Sequence, residues 1–252
     1  TPEQSDDRAN NEVLAAKLSL LAGAGAPEMK VIDLKGKHAG GLGVASKMQT
    51  GLTNFDPSNP KHVEAAQKDF PIHAWLANYD VLGMGYDNTL IDNKGFAVNI
   101  DPGGALLFRA QGLPKNGMLD PTAPEFESMQ ATTPEQKAVF GKIPPEVLKE
   151  GAKRLKLIDD SDISDLVDQY GPKDPAKKEE LKKVLAARRD AILTKAGVLA
   201  PAKETNVHPK KGEKGEKVSI NSPSQPTGKD SWEDPDSIVI FTPGGEVPQV
   251  LN

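Results

Sequence analysis

The sequence predicts an α+β chain in which a helix and a β-hairpin lead into a mainly helical body. Three observations point there. Apolar residues recur at helical spacing before residue 21, two pairs of short β-rich runs are each split by a glycine-containing turn, and the segment after Gly104 is helical and punctuated by prolines.

The elements follow in order. Val13, Leu14, Leu18 and Leu21 share a face over residues 11–21, and the glycines and proline at 23–27 end that helix. Residues 29–34 and 42–48 read as strands joined by a glycine-rich turn at 35–41. The glycines of 36–43 lack the strand-then-helix setting and the Gly-Lys-Ser/Thr ending of a phosphate loop, so they read as turn material. A short polar helix is expected over 60–70 and a more apolar one over 71–79, delivering Asp80 at its end, with Phe70 and Trp75 as core. Residues 90–92 and 96–100 form a second hairpin around Asn93-Lys94-Gly95, a sequence chemically suited to turning.

Three further helices are expected at 146–158, 162–170 and 175–196. Asp174 can cap the last, Pro175 suits its first position, and Leu181, Val184, Leu185 and Ile192 fall on one face, leaving Lys177, Lys178, Lys182 and Lys183 as its solvated side. Residues 203–235 have almost no apolar content and read as a linker or draped tail, whereas 237–242 has the β-branched content of a docking strand.

Composition narrows the function classes. The chain has 252 residues, 37% of them hydrophobic, which suits one ordinary core with an appendage. A net charge of −5 with basic and acidic residues interleaved gives no electrostatic footprint for nucleic acid. No apolar run approaches the roughly 18 residues of a membrane span, so a soluble chain is expected, in a bacterial cytoplasm, a host cell or a virion. There is no cysteine, and the four histidines show no metal-ligand spacing.

The chemistry concentrates between His73 and Gly104. Asp80, Asn88 and Asp101 place an acid, an amide and a second acid on two turns around one hairpin, a set able to hold Mg²⁺ against a nucleotide triphosphate. Phosphoryl transfer also needs a group oriented on the attacking hydroxyl and a lysine on the phosphates, itself steadied by a glutamate. Asp80 is the candidate base, Asn88 and Asp101 the candidate metal ligands, and Glu12 the candidate lysine partner. Each also fits an ordinary turn or helix surface, since Asp-Pro and Gly-Gly pairs are common turn material.

In order and context these pieces resemble the protein-kinase-like fold, in the HipA and phosphoinositide-kinase-like branch found in bacterial and phage proteins. The resemblance rests on Asn11-Glu12-Val-Leu-Ala-Ala-Lys-Leu, Val44-Ala-Ser-Lys-Met48, Trp75-Leu-Ala-Asn-Tyr-Asp80, Tyr86-Asp-Asn88-Thr-Leu-Ile-Asp92 and Ile100-Asp-Pro-Gly-Gly104, and it spans residues 8 to 195. It implies ATP and Mg²⁺ as cofactors and an acceptor hydroxyl on a protein, a lipid or an inositol. It implies a partial N-lobe over residues 1–48, a C-lobe over 49–200 and a tail over 201–252. An adenine site is implied along Val44, Ser46 and Met48, and a metal-binding role for Asp101 where this chain has Asp-Pro-Gly-Gly. The Asp80 to Asn88 interval is longer than the family's, so Asp87 is a candidate to share the role of Asp80. The glycine-rich loop and phosphate lysine of such folds precede the glutamate helix, so these residues are expected to be a fragment whose missing upstream segment supplies both. An alternative is a kinase-derived interaction or structural module without turnover, part of a larger phage or secreted bacterial protein.

Overall fold

A computed structural model describes residues 2–35, 41–200, 238–241 and 249–250. Most of the glycine turn expected at 35–41 and the whole polar stretch 203–235 lie outside the described residues. The described chain is α+β, with helices and two small antiparallel sheets.

The first unit is α1 (Pro2–Leu21), β1 (Met29–Asp33) and β2 (Leu42–Lys47). The helix begins nine residues before the expected start at residue 11. Its first turns are polar and hide the pattern, yet Ala9, Asn11 and Glu12 are all buried. β1 and β2 pair antiparallel with Met29 opposite Ser46 and Val31 opposite Val44. Ala9, Val13, Ala16, Ala26, Met29 and Val44 form a small core of their own between the helix and this hairpin. The strand expected at 237–242 is β6 (Ile238–Phe241), which pairs with the free edge of β2, Lys47 opposite Ile238; β7 (Gln249–Val250) pairs with β6 in turn.

The second unit holds the larger core. β3 (Thr53–Asn54), β4 (Thr89–Ile91) and β5 (Ala97–Asn99) make a three-stranded sheet, with the turn between β4 and β5 where Asn93-Lys94-Gly95 required it. Asp92 accepts from the Lys94 and Phe96 amides, which pins that turn. Between β3 and β4 runs α2 (Pro60–Trp75). Two helices were expected there, but one continuous helix passes through Pro71. An interior proline removes a backbone donor. Arg154 braces the turn just before it, donating to the Lys68 carbonyl and, at 2.7 Å, to the Asp69 carboxylate. Phe70 and Trp75 are fully buried in this helix, as their positions implied.

Of the remaining helices, α3 (Glu125–Ser128), α4 (Pro134–Phe140), α5 (Pro145–Lys153) and α7 (Pro175–Lys195) pack on α2, and α6 (Asp160–Tyr170) packs on α1 and α7. A 3-10 turn, Arg154–Leu157, takes over the end of the helix expected at 146–158. Asp174 caps α7 by accepting from the Ala176 amide at 2.8 Å, and Leu181, Leu185 and Ile192 are buried on its inner face. Lys177 and Lys183 are solvated, while Lys182 is partly buried and ion-paired to Asp168 and Glu179. No helix among the described residues is long and apolar enough to cross a membrane.

Candidate functional site

The site lies where α1, the end of α2 and the β4–β5 hairpin meet. After Trp75 the chain leaves the helix through Ala77, which sits at φ 52, a left-handed conformation that a residue with a Cβ adopts at a steric cost. The structure holds it there by satisfying successive carbonyls from outside. Arg188 donates to the Ala74 and Trp75 oxygens at 2.7 and 2.8 Å. The Leu106 amide reaches the Leu76 oxygen at 2.7 Å, the Lys115 ammonium the Ala77 oxygen at 2.8 Å, and the Gln136 amide the Tyr79 oxygen at 2.7 Å. Asn78 is buried and donates to the Asn99 side chain at 3.1 Å. Asp80 follows this clamped turn directly.

The side-chain amide of Asn88 reaches back to Asp80, donating to its carbonyl at 2.8 Å and to Oδ2 at 3.1 Å. That geometry occupies the amide nitrogen and leaves the amide oxygen as an acceptor. The backbone of Asn88 is fixed as well, its carbonyl accepting from Asn99 Nδ2 at 3.0 Å and from the Ile100 amide at 2.9 Å. The interval between Asp80 and Asn88 is a compact loop. Gly83 sits at φ 69, and Asp87 Oδ1 occupies the space a Cβ there would need, so Asp87 folds over the loop and Gly83 has to be glycine.

Asp101 begins a 3-10 turn, Pro102–Gly104, and accepts from the Gly103 amide at 3.0 Å. A Cβ on Gly103 would lie 3.0 Å from Asp101 Oδ1 and 3.4 Å from Glu12 Oε2, so the two carboxyls converge over this glycine. Helix α1 is stitched to the same segment by Asn11, which donates to the Ala105 carbonyl and accepts from the Leu107 amide, both at 3.0 Å.

The electrostatics reflect that convergence. Burial and then the Asp101 charge push the Glu12 carboxyl up to about 7, with Arg8 opposing. Glu12 is only 8% exposed, and its carboxyl has no hydrogen bond or ion pair among the described residues. Asp80, half-buried, is raised by desolvation and then by Asp101, with the Asn88 amide opposing and Asp87 adding to the rise. A cation placed among these groups would offset the repulsion that Asp101 adds to both.

The structure therefore brings Glu12, Asp80, Asn88 and Asp101 together and sets Asp87 beside them. The expected adenine contacts fare differently. Val44 and Ser46 are buried in β2 and flanked by β1 on one edge and β6 on the other, so their backbone groups lie within the sheet. Met48, 44% exposed, lies past the last pair of the strand. As for metal, no group of three or more His, Asp or Glu among the described residues could hold an ion unaided. One amide oxygen and one exposed carboxylate fit Mg²⁺ bound chiefly through phosphates and water, and do not fit a self-sufficient protein cage.

The sequence reading missed the residues that hold this site. Arg188 falls seven positions after Leu181, a charge on the buried face of α7, and that break in an apolar stripe was its signal. Asn11, Asn78 and Asn99 looked like ordinary helix, turn and strand polar residues, and nothing in the sequence singled out Lys115 or Gln136. No family model, curated protein or solved structure matches this chain.

Proposed function

We propose that this chain is the catalytic part of an ATP- and Mg²⁺-dependent phosphotransferase of the kinase-like kind, acting on an acceptor hydroxyl. The observation that carries the reading is the Asn88 amide bonded to both the carbonyl and the carboxylate of Asp80, with Asp101 close enough to raise Asp80 and Glu12 together. An acceptor hydroxyl facing Asp80 would hydrogen-bond to its carboxylate, which orients the attacking oxygen and takes its proton as the bond to phosphorus forms. Asn88 Oδ1 and Asp101 would hold the metal. When bound, Mg²⁺ supplies charge neutralisation between the phosphates. The unpaired Glu12 carboxyl would steady a phosphate-binding lysine supplied by a segment outside these residues.

Calorimetric titration of ATP and Mg²⁺ tests this, on the chain alone and on a longer chain extended by a segment that supplies the phosphate-binding lysine. The expected result is weak or no binding by the chain alone, tight binding and transfer by the longer one, and loss of both on Asp101→Ala with the fold retained, since the side chain is exposed. Unchanged transfer in Asp101→Ala refutes the assignment. The pairing of β6 with the edge of β2 favours a second reading, a non-catalytic interaction module. Under it neither chain responds to ATP.

A further inference from the structure

Beyond Asp101 the chain folds into a tight hairpin. The Lys115 amide donates to the Leu107 carbonyl at 2.7 Å, the Arg109 amide to Leu113 at 2.8 Å and the Gly112 amide to Arg109 at 2.8 Å, with Phe108 bridged to Pro114. Asn11 grips its base, and the Arg8 guanidinium lies against Gly112 at its tip. This hairpin forms one wall of a cleft of about 530 Å³, and Asp80 and Gly104 line the same cleft.

We propose that this cleft contains an anion subsite in which Arg109 and Lys115 receive a phosphate group carried by a small hydroxyl compound, so that the hydroxyl faces Asp80. The inference rests on the reading of Asp80 given above. Its volume suits a small ligand. Arg109 is exposed and lines the cleft, and its guanidinium has no hydrogen bond or ion pair among the described residues, so its five side-chain donors are uncommitted. Lys115 is partly buried and spends one donor on Ala77, leaving two. Burial pushes its ammonium down to about 8 against the pull of Glu125, the state of a cation with room for an anion. The side chains of Gln111 and Asn116 add amide donors on the same wall.

Two carboxylates that share the cleft direct an oxygen to other partners than Arg109 and Lys115. Glu125 Oε2 is held by the buried Arg188 at 2.8 Å, and Asp120 Oδ1 by the Thr122 amide and hydroxyl at 2.8 and 2.7 Å. Asp80 alone remains for the hydroxyl. Because Lys115 also clamps the Ala77 carbonyl, a phosphate drawn to it sits on the residue that fixes the turn carrying Asp80.

The test is titration of the described chain, without nucleotide, with inorganic phosphate, glycerol 3-phosphate and glycerol, read by amide NMR shifts and calorimetry. Both phosphate compounds should bind saturably with shifts at residues 109–117, and glycerol should not. Arg109→Gln should weaken phosphate about tenfold or more, and Lys115→Met at least as much, while Lys142→Gln, an exposed charge elsewhere, leaves it unchanged. Thermal unfolding checks Lys115→Met; should it fail to fold, the exposed Arg109→Gln carries the test. Vesicles of phosphatidylcholine with phosphatidic acid separate the sources. Binding to free glycerol 3-phosphate assigns a soluble ligand, and binding to the vesicles alone assigns a lipid headgroup. No saturable binding in any arm, or equal affinity in Arg109→Gln, overturns the subsite. Failure of the ATP and Mg²⁺ titration, by contrast, removes the transfer reading and leaves the phosphate result to stand or fall by itself.

Discussion

Replacing Glu12 by glutamine tests whether burial and the neighbouring Asp101 raise its carboxyl in the fold. In the fold, burial and Asp101 hold this carboxyl at about 7, against 4.5 for a free glutamate. Between those values the native chain binds a proton that the unfolded chain has lost, so the Glu12 contribution to stability falls as pH rises through this window and is fully lost above about 7. The interval of about two and a half pH units corresponds to about 3 kcal/mol, at about 1.36 kcal/mol per unit. Glu12→Gln removes the titration. At low pH the variant and the parent should unfold at similar temperatures, and above about pH 8 the variant should be more stable by about 3 kcal/mol, a rise of about 6–12 °C for a body of this size. His73 works in the opposite direction, since burial holds it at about 3, below its ordinary value of 6.5, and its stabilisation is lost as pH falls from there. It is present in both proteins and cancels in the difference. Thermal unfolding across pH is the assay. A difference that does not grow between about pH 5 and about pH 8 refutes the picture of two carboxyls forced together over Gly103.

Other outcomes follow from the same geometry. In the longer chain proposed above, Asp80→Asn should slow the chemical step by about 10²- to 10⁴-fold with little change in nucleotide affinity; a full rate in that variant, with a loss in Asp87→Asn, would reverse their roles. Arg188→Met leaves Glu125 without its buried partner and removes the Arg188 donors from the Trp75 and Asp120 carbonyls, and should cost about 3–5 kcal/mol by urea denaturation; a change under about 1 kcal/mol would refute its anchoring role. Gly103→Ala should destabilise the chain and alter the Asp101 turn, because the new Cβ meets both carboxyls; unchanged thermal stability counts against that contact.

Where local chemistry decides the conformation, the sequence was readable. Asp174-Pro175 ahead of an apolar stripe gave α7 to within a residue at its far end, and Asn93-Lys94-Gly95 fixed the second hairpin. The first turns of α1 misled because residues 3–8 are all polar and carry no apolar period to mark a helix. Pro71 misled because an interior proline ordinarily ends a helix, whereas the contacts that brace α2 just before it come from Arg154, more than 80 positions along the chain. The site acids could be named from their order alone. Their environment could not, because the rise of Glu12 and Asp80 comes from a burial and a neighbour that only the fold supplies.

The same division explains how the site is made rigid. A catalytic acid gains from fixed placement only if its backbone cannot drift, and the turn before Asp80 is irregular, with its carbonyls beyond the reach of the helix ladder. Donors from four distant places take over: Arg188 of α7, the Leu106 amide, Lys115 of the hairpin wall and Gln136 of α4. Three of these are side chains, and converting Arg188 or Gln136 to an apolar residue would take the donor from the Trp75 or Tyr79 carbonyl, a loss of about 1–3 kcal/mol each where buried. The arrangement couples the Asp80 turn to two helices and to the cleft wall at once. A mutation in α7 or α4, far from any reacting atom, should therefore reach the chemistry through this turn.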